Sequence, residues 1–156
     1  MESGQADLGR PIARGSNKMM FAEFDANPPA SYDAVARCQS KLRFLPPADY
    51  VQFLEQMNGG EGFVGKNYMR AWPVEDLIQF NKDYLVDEAA PELFLFGSSR
   101  GGEAFAFDTR SSPPPIVAVP FIIISLEDAI VIASNFNSFL QHLCQSESLF
   151  GSRLVG

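Results

Sequence analysis

The sequence predicts a single α+β domain, in which a mostly antiparallel sheet of short strands is packed by helices. Two helical patterns come first, several short apolar segments with one inserted helical segment follow, and a helical pattern closes the chain. The loops between the predicted strands are short, which favours antiparallel pairing because parallel strands need a longer crossover. The chain has 156 residues, 46% of them hydrophobic and 20% charged, which suits one domain with a substantial core.

Residues 19–150 are expected to form this domain, between a polar N-terminal tail at residues 1–18 and a short C-terminal tail at residues 151–156. Residues 1–18 contain Gly and Ser and show no hydrophobic periodicity, which is typical of a tail. Residues 19–24 could form a short strand or a hydrophobic clasp, and Asn27-Pro28-Pro29 then breaks the chain.

The strongest helical pattern lies in residues 45–60 and follows a thinner one in residues 31–42. Pro47 suits the first helical position, because the N–H that proline lacks would have no helical partner there. Asn58-Gly59-Gly60 ends the helix, since these residues tolerate positive φ. The apolar residues recur at helical spacing: Val35, Cys38 and Leu42 in the first helix, and Tyr50, Phe53, Leu54 and Met57 in the second.

Short apolar segments bounded by turn residues predict the strands. Residues 63–72 indicate strand–turn–strand, and further strands are expected at residues 93–96, 103–108, 116–119 and 121–124. Residues 129–131 fit either a strand or the last helix. Two more helices are indicated by apolar spacing: an inserted one opened by Pro73, with Val74, Leu77, Ile78 and Asn81 on one face, and a final one with Ile132, Phe136, Phe139, Leu140 and Leu143.

The core is expected to be filled by Phe rings, since the sequence has fourteen Phe against one Trp and four Tyr. Asp49 adds a negative charge in the first turn of the second helix, where the helix dipole favours it.

The sequence contains no set of residues that suggests catalysis or a cofactor. His142 is the single histidine, and an acid–base role needs a partner that no motif around Glu147 supplies. One histidine and two distant cysteines, Cys38 and Cys144, do not offer the spacing of a metal site. Residues 97–102 lack both phosphate-binding signatures and fit a hairpin turn. We therefore expect neither enzyme activity nor a bound cofactor or metal.

Glu103, Asp108 and Trp72 each admit two interpretations. The two carboxylates flank Phe105 and Phe107 and could serve as a hydrolytic pair, but they fit a solvated strand edge better. Trp72 could anchor an interface, but core packing suits it better.

The expected compartment is the cytoplasm. Two widely separated cysteines fit reduced thiols better than a disulfide framework. The N-terminus lacks the apolar segment of a secretory signal, and no apolar stretch approaches the roughly 20 residues of a membrane helix.

The formal net charge is −7, and it is concentrated in one quarter of the chain. Between Ala71 and Asp108 lie eight acidic and two basic residues. Nucleic acid and anionic membranes attract basic surfaces, so neither is an expected partner. A basic protein is the partner that this charge favours.

Four segments, in order, resemble the SUKH superfamily, which includes fungal cell-wall-assembly regulators and many bacterial toxin-immunity proteins. The resemblance covers about residues 31–143. It is carried by Leu45-Pro46 leading into Asp49-Tyr50, Phe53-Leu54 and Asn58-Gly59-Gly60, by Trp72-Pro73-Val74-Glu75-Asp76-Leu77 reaching Asn81, by Leu95-Phe96-Gly97 followed by residues 101–108, and by Ile132 to Leu140.

The resemblance implies a small α+β domain without catalytic residues, whose bacterial members bind and neutralise a toxin in the cell that produces it. A cognate toxin or another basic protein is then the expected partner. The acidic segment is expected to face that partner through Glu75, Asp83, Asp87, Glu88 and Glu103. A regulatory or scaffold protein in cell-wall or stress signalling is the alternative, as the fungal branch suggests, and a small enzyme ranks third.

Overall fold

Seven strands form one antiparallel sheet in the computed structural model, which describes residues 19–147 and residue 149. Each strand pairs with its neighbours in sequence, so the sheet order is the chain order. The predicted α+β class is confirmed. The predicted tails at residues 1–18 and 151–156 lie outside the described residues. The strands are β1 (Glu23–Ala26), β2 (Gly60–Val64), β3 (Asn67–Ala71), β4 (Leu93–Ser98), β5 (Glu103–Asp108), β6 (Ile116–Pro120) and β7 (Ile130–Ala133).

Five α-helices lie within the described residues, and short 3₁₀ turns at Val74–Asp76 and Leu126–Asp128 accompany them. Four of the helices correspond to predicted ones, whereas the single turn of α4 was not foreseen. The helices are α1 (Tyr32–Gln39), α2 (Ala48–Gln56), α3 (Leu77–Asp83), α4 (Val86–Ala89) and α5 (Phe136–Gln145).

Helix α2 starts one residue later than the sequence predicts. Pro47 is the N-cap residue, with an extended backbone (φ −66°, ψ 148°), and is not the first helical residue. The helix ends as expected before Gly59, which has φ +77°. A Cβ at Gly59 would collide with the carbonyl oxygen of Ala71, so this turn accepts only glycine without rearrangement.

Aromatic rings fill the space between the sheet and the helices α2 and α5. Tyr50 of α2 lies 5.1 Å from Phe136 of α5, measured between ring centroids, and equally close to Phe107 of β5. Phe105 of β5 meets Phe139 of α5 at 4.9 Å. Each such ring contributes about 1.5–3 kcal/mol when it is fully buried. The predicted Phe-filled core is confirmed by the fully buried side chains of Phe96, Phe105, Phe107, Phe136 and Phe139.

Tyr50 supports this core through its ring. Its hydroxyl is fully buried and has no hydrogen-bond partner within the described part of the chain, and burial raises the pKa of this phenol.

Asp49 joins the two core helices. One carboxylate oxygen accepts a hydrogen bond from its neighbour's amide, Tyr50 N, at 2.9 Å, and the other accepts from Asn137 N at 3.0 Å. Asn137 lies in the first turn of α5, where backbone N–H groups have no partner inside the helix. Asp49 therefore helps to cap α5 through a residue 88 positions later in the sequence. This contact adds to the predicted interaction of Asp49 with the dipole of its own helix.

Two expectations near the C-terminus are wrong. Residues 121–124 form a turn instead of a strand, and Ile122 is 85% exposed. The side of β6 that they would need is taken by β7, through pairs such as Val117↔Val131. Ile132 belongs to β7 and not to the last helix. Of residues 129–131, for which strand and helix were both open, Ile130 and Val131 lie in β7, and Ala129 precedes the strand.

The side chain of Asn81 in α3 makes the hydrogen bonds to β4 that a neighbouring strand would otherwise make. Strand β3 pairs with β4 only through Arg70↔Ser98 and Ala71↔Gly97. Beyond these pairs, the side-chain amide of Asn81 donates to the carbonyl oxygen of Leu95 and accepts from its N–H, both at 2.9 Å. Both backbone groups of a fully buried residue are thus satisfied by one side chain.

We predict that Asn81→Ala lowers the free energy of unfolding by about 1–3 kcal/mol, because it leaves two buried polar groups of Leu95 without partners. Urea denaturation measures the change. The matched control is Gln79→Ala on the exposed side of the same helix, which should stay within about 0.5 kcal/mol of the wild type. Equal stability of the two variants would contradict the role given to Asn81.

Asp108 is a buried carboxylate at the end of β5, so it is not the solvated residue that the sequence suggested. Arg110 donates to it from Nη2 at 2.7 Å, from Nε at 3.0 Å and from its backbone N–H at 3.1 Å. These hydrogen bonds, the side-chain ones above all, lower the pKa of Asp108 below its ordinary value.

This pKa shift predicts a pH-dependent effect of Asp108→Asn. A carboxylate with a lowered folded-state pKa stabilises the fold above its unfolded pKa, which is about 3.9, and that contribution is lost as the pH falls through the folded value. The variant should therefore be less stable than the wild type by about 1 kcal/mol at pH 7. Urea denaturation between pH 7 and pH 2.5 should show the difference shrinking below about pH 4. A difference that stays constant over this range would contradict the prediction.

Candidate functional site

The proposed partner-binding acids lie on three separate parts of the fold. Asp83, Asp87 and Glu88 are exposed and share the corner where α3 meets α4. Glu75 is exposed at the start of the inserted helical segment, and Glu103 is half-buried at the start of β5. The structure therefore brings three of the five residues to one corner. The other two, Glu75 and Glu103, lie on other elements, away from that corner in the sequence.

Most of these carboxylates already have partners within the protein. Glu75 accepts from Asn58 Nδ2 at 2.7 Å, and Asp83 accepts from Gln79 Nε2 at 2.8 Å. Asp87 forms an ion pair with Arg43 at 2.8 Å. Both of these side chains are largely exposed, so the pair contributes little to stability.

The two remaining carboxylates differ from each other. Glu103 accepts from Ser99 Oγ at 2.9 Å, which holds the turn between β4 and β5. Glu88 has no hydrogen bond or ion pair to any described side chain, and its carboxyl group is exposed to solvent.

A cleft of about 500 Å³ lies beside Asp87 and has mixed charge. Its walls include the apolar side chains of Phe44 and Phe94. Three cations and two carboxylates line it: Lys41, Arg43, Lys82, Asp87 and Glu92. The acidic segment of the sequence therefore does not form a uniformly acidic surface, because basic residues from the α1–α2 connection fold against it.

A second cleft, of about 400 Å³, opens on the other side of α3, and we call it the aromatic cleft. One wall is a row across the sheet, formed by Asp25 of β1, Glu61 of β2 and Arg70 of β3. These residues face each other in the strand register, so their side chains share the sheet face opposite the core. The rest of the cleft includes Asp76 and four rings: Trp72, Phe80, Tyr84 and Phe121.

The four rings of the aromatic cleft form a continuous series. Trp72 is buried against Phe80, with ring centroids 4.6 Å apart, and this confirms its core packing. Tyr84 lies parallel to Trp72 at 6.2 Å, with 8° between the planes, and meets Phe121 at 4.8 Å. The series joins the end of α3 to the loop between β6 and β7.

Two charges of the aromatic cleft are neutralised internally. Glu61 accepts from the hydroxyl of Tyr68 and lies 3.3 Å from Arg70, and these contacts, the hydrogen bond from Tyr68 first, lower the pKa of Glu61. Asp25 and Asp76 are exposed and have no side-chain partner among the described residues. The cleft thus keeps two free carboxylates next to exposed aromatic surface.

The aromatic cleft was not predicted from the sequence. The apolar spacing of the inserted helix pointed to Val74, Leu77, Ile78 and Asn81, whereas Phe80 and Tyr84, four residues apart, share another face. The spacing of Phe80 and Tyr84 was the signal available in the sequence. No pattern in the sequence pointed to Asp25, because only the pairing of β1 with β2 places it beside Glu61 in the wall of the cleft.

The residues considered for acid–base chemistry are not assembled into a catalytic set. His142 Nδ1 lies 2.9 Å from Ser146 Oγ, a local contact in the last turn of α5. Glu147 pairs with Lys66 at 2.7 Å, which lowers the pKa of this carboxyl. Glu103 and Asp108 stand at opposite ends of β5, about 17 Å apart at 3.3 Å per residue. The carboxylates of glycoside hydrolases are closer, at about 5–9.5 Å.

The cysteines and the possible metal ligands are likewise dispersed. Burial raises the pKa of the Cys38 thiol, which makes it a poor nucleophile at neutral pH. Among residues 19–147 and 149, no three His, Cys, Asp or Glu side chains are placed to hold a metal ion together. In the same part of the chain, no helix has both the length and the apolar character needed to cross a bilayer.

Comparison with known families supports the sequence resemblance. The chain matches none of the curated proteins with which it was compared. Residues 29–142 match the SMI1/KNR4 family, also described as SUKH-1, and this range includes the elements from α1 through most of α5. Because the match covers well over half of the 156 residues, this chain belongs to the SMI1/KNR4 (SUKH-1) family.

Proposed function

We propose that this protein is a non-enzymatic binding module, an immunity protein that binds and neutralises a cognate bacterial toxin in the cytoplasm. The observation that carries the proposal is membership of the SMI1/KNR4 (SUKH-1) family, since the SUKH superfamily includes many toxin-immunity proteins. The dispersed positions of His142, Cys38 and the β5 carboxylates support a role in binding over one in catalysis.

The partner is proposed to be basic. The net charge of −7 attracts a cationic protein and speeds its association. Within the set of Glu75, Asp83, Asp87, Glu88 and Glu103, the corner of α3 and α4 is the best supported contact. Glu88 is free there, and Asp83 has only a neutral partner, Gln79.

The first experiment asks whether a toxin partner exists. The protein encoded next to this chain's gene is co-expressed with it, and growth and co-purification are measured. Rescue of growth together with a stable complex is the expected result. If that neighbour is not toxic, or is toxic and neither bound nor neutralised, the immunity proposal is wrong.

We predict that the double variant Asp83→Lys/Glu88→Lys slows association with this toxin about tenfold at low salt, because it reverses charge at the approach surface. Asp87 is kept, since it pairs with Arg43. Surface plasmon resonance at low and high salt measures the association rate.

The matched control is Asp33→Lys/Glu55→Lys, which makes the same charge change on the exposed sides of α1 and α2. It should slow association less than threefold, as expected for a long-range effect alone. Equal effects of the two double variants would remove the α3–α4 corner from the interface and leave the rest of the proposal intact.

A further inference from the structure

We infer that the aromatic cleft receives an arginine side chain of the protein partner. This inference rests on the proposed function for the identity of the partner, and it adds a site that adjoins the α3–α4 corner, since Tyr84 and Leu85 lie between Asp83 and Asp87. Three features of the molecule support it: the free carboxylates in the cleft, the orientation of its rings and the apolar surface beside it.

The charge of the cleft suits one cation. Three carboxylates and one guanidinium line it, and the nearby guanidinium of Arg100, which also helps to lower the pKa of Glu61, still leaves the carboxylates in excess. Arg70 and Tyr68 already engage Glu61, so Asp25 and Asp76 are the carboxylates left for a ligand. A guanidinium carries five N–H donors in a planar fork, so it can serve carboxylates on two sides, whereas phosphate groups of nucleic acid or lipid would be repelled.

The rings favour a planar cation. Tyr84 is 42% exposed, and the ring of Phe121 lies 4.8 Å from it, so the cleft offers aromatic surface to an incoming group. Guanidinium groups stack on aromatic faces, where the ring quadrupole attracts them. The chain contains this arrangement nearby, since the guanidinium of Arg100 lies over the ring of Tyr68, 4.0 Å from its centroid.

Three exposed aliphatic residues follow the rings of the cleft in sequence, and we call them the apolar rim. Leu85 follows Tyr84 and is 57% exposed, and Ile122 and Ile123 follow Phe121. Contact between Tyr84 and Phe121 brings the two segments together. Exposed aliphatic residues that occur singly are ordinary, but a group of them beside a charged cleft is typical of a protein-binding surface.

Leu85 is also the one non-glycine residue with positive φ among the described residues, at φ 56° and ψ 40°. Leucine rarely adopts this backbone, and an exposed side chain gains little from burial in return. A role for this side chain in a complex accounts for both observations. The occupant is therefore an arginine with apolar neighbours, on the surface of a protein.

The first test uses a blocked amino acid as the probe, so it does not depend on the toxin. The ¹⁵N-labelled full chain is titrated with N-acetyl-arginine methylamide, and Trp72 serves as reporter because its indole N–H is the only one in the sequence. We expect saturating shifts at Trp72 and Tyr84. Asp25→Asn/Asp76→Asn should weaken the apparent affinity about fivefold, as the loss of two exposed ion pairs predicts.

Three controls make this titration decisive. Asp33→Asn/Glu55→Gln makes the same charge change at two exposed residues that do not line the cleft and should bind like the wild type. The neutral citrulline analogue should not bind, and the lysine analogue should bind at least about threefold more weakly, because it lacks the planar fork. The inference is overturned if the shifts are absent, survive in Asp25→Asn/Asp76→Asn, or are equal for arginine and lysine.

The second test uses the toxin complex. Leu85→Asn should keep the fold, because asparagine tolerates positive φ, yet it should weaken toxin binding about tenfold by removing an interface side chain. If the toxin binds the Leu85 and Asp25/Asp76 variants as it binds the wild type, the inference fails and the immunity proposal stands. If no toxin is found but the arginine titration succeeds, the proposed function fails and the arginine site stands.

Discussion

The fold depends on the interlocking of aromatic rings between one face of the sheet and the helices α2 and α5. Phe105 and Phe107 share one face of β5 and meet Phe139 and Tyr50, which come from two helices far apart in the sequence. Every strand pairs only with its neighbours in sequence, so the sheet alone brings no early strand against a late one. The rings, together with the hydrogen bond from Asn137 to Asp49, hold α2 and α5 on the same core.

Patterns within single elements made most of this fold predictable. The apolar stripe of α2 and the alternation of β5 each require one buried face, and the structure buries those faces. Errors arose where a neighbouring element decides the outcome. Residues 121–124 have the composition of a strand, but β7 occupies the position beside β6. Ile132 fits the spacing of α5, yet Asn135 caps the helix through Ser138 N and so fixes its start beyond that residue.

The candidate site was less predictable, because net charge along a sequence does not give charge on a surface. The acidic stretch between Ala71 and Asp108 suggested one acidic face. In the fold, Arg43 joins Asp87 from another part of the chain, and Arg110 neutralises Asp108. Conversely, Asp25 lies outside that stretch and reaches the aromatic cleft through strand pairing. Binding surfaces of this kind depend on tertiary placement, which composition does not encode.

Asn81 also has a consequence for colloidal behaviour. An unpaired stretch of β-strand is a template on which another chain can add a strand, and this is a common route to aggregation. Because β3 leaves β4 early, the backbone of Leu95 would be such a template in the middle of the sheet. The amide of Asn81 occupies both of its hydrogen-bonding groups. One side chain thereby leaves no free backbone group at Leu95 on which a second copy of this protein could add a strand.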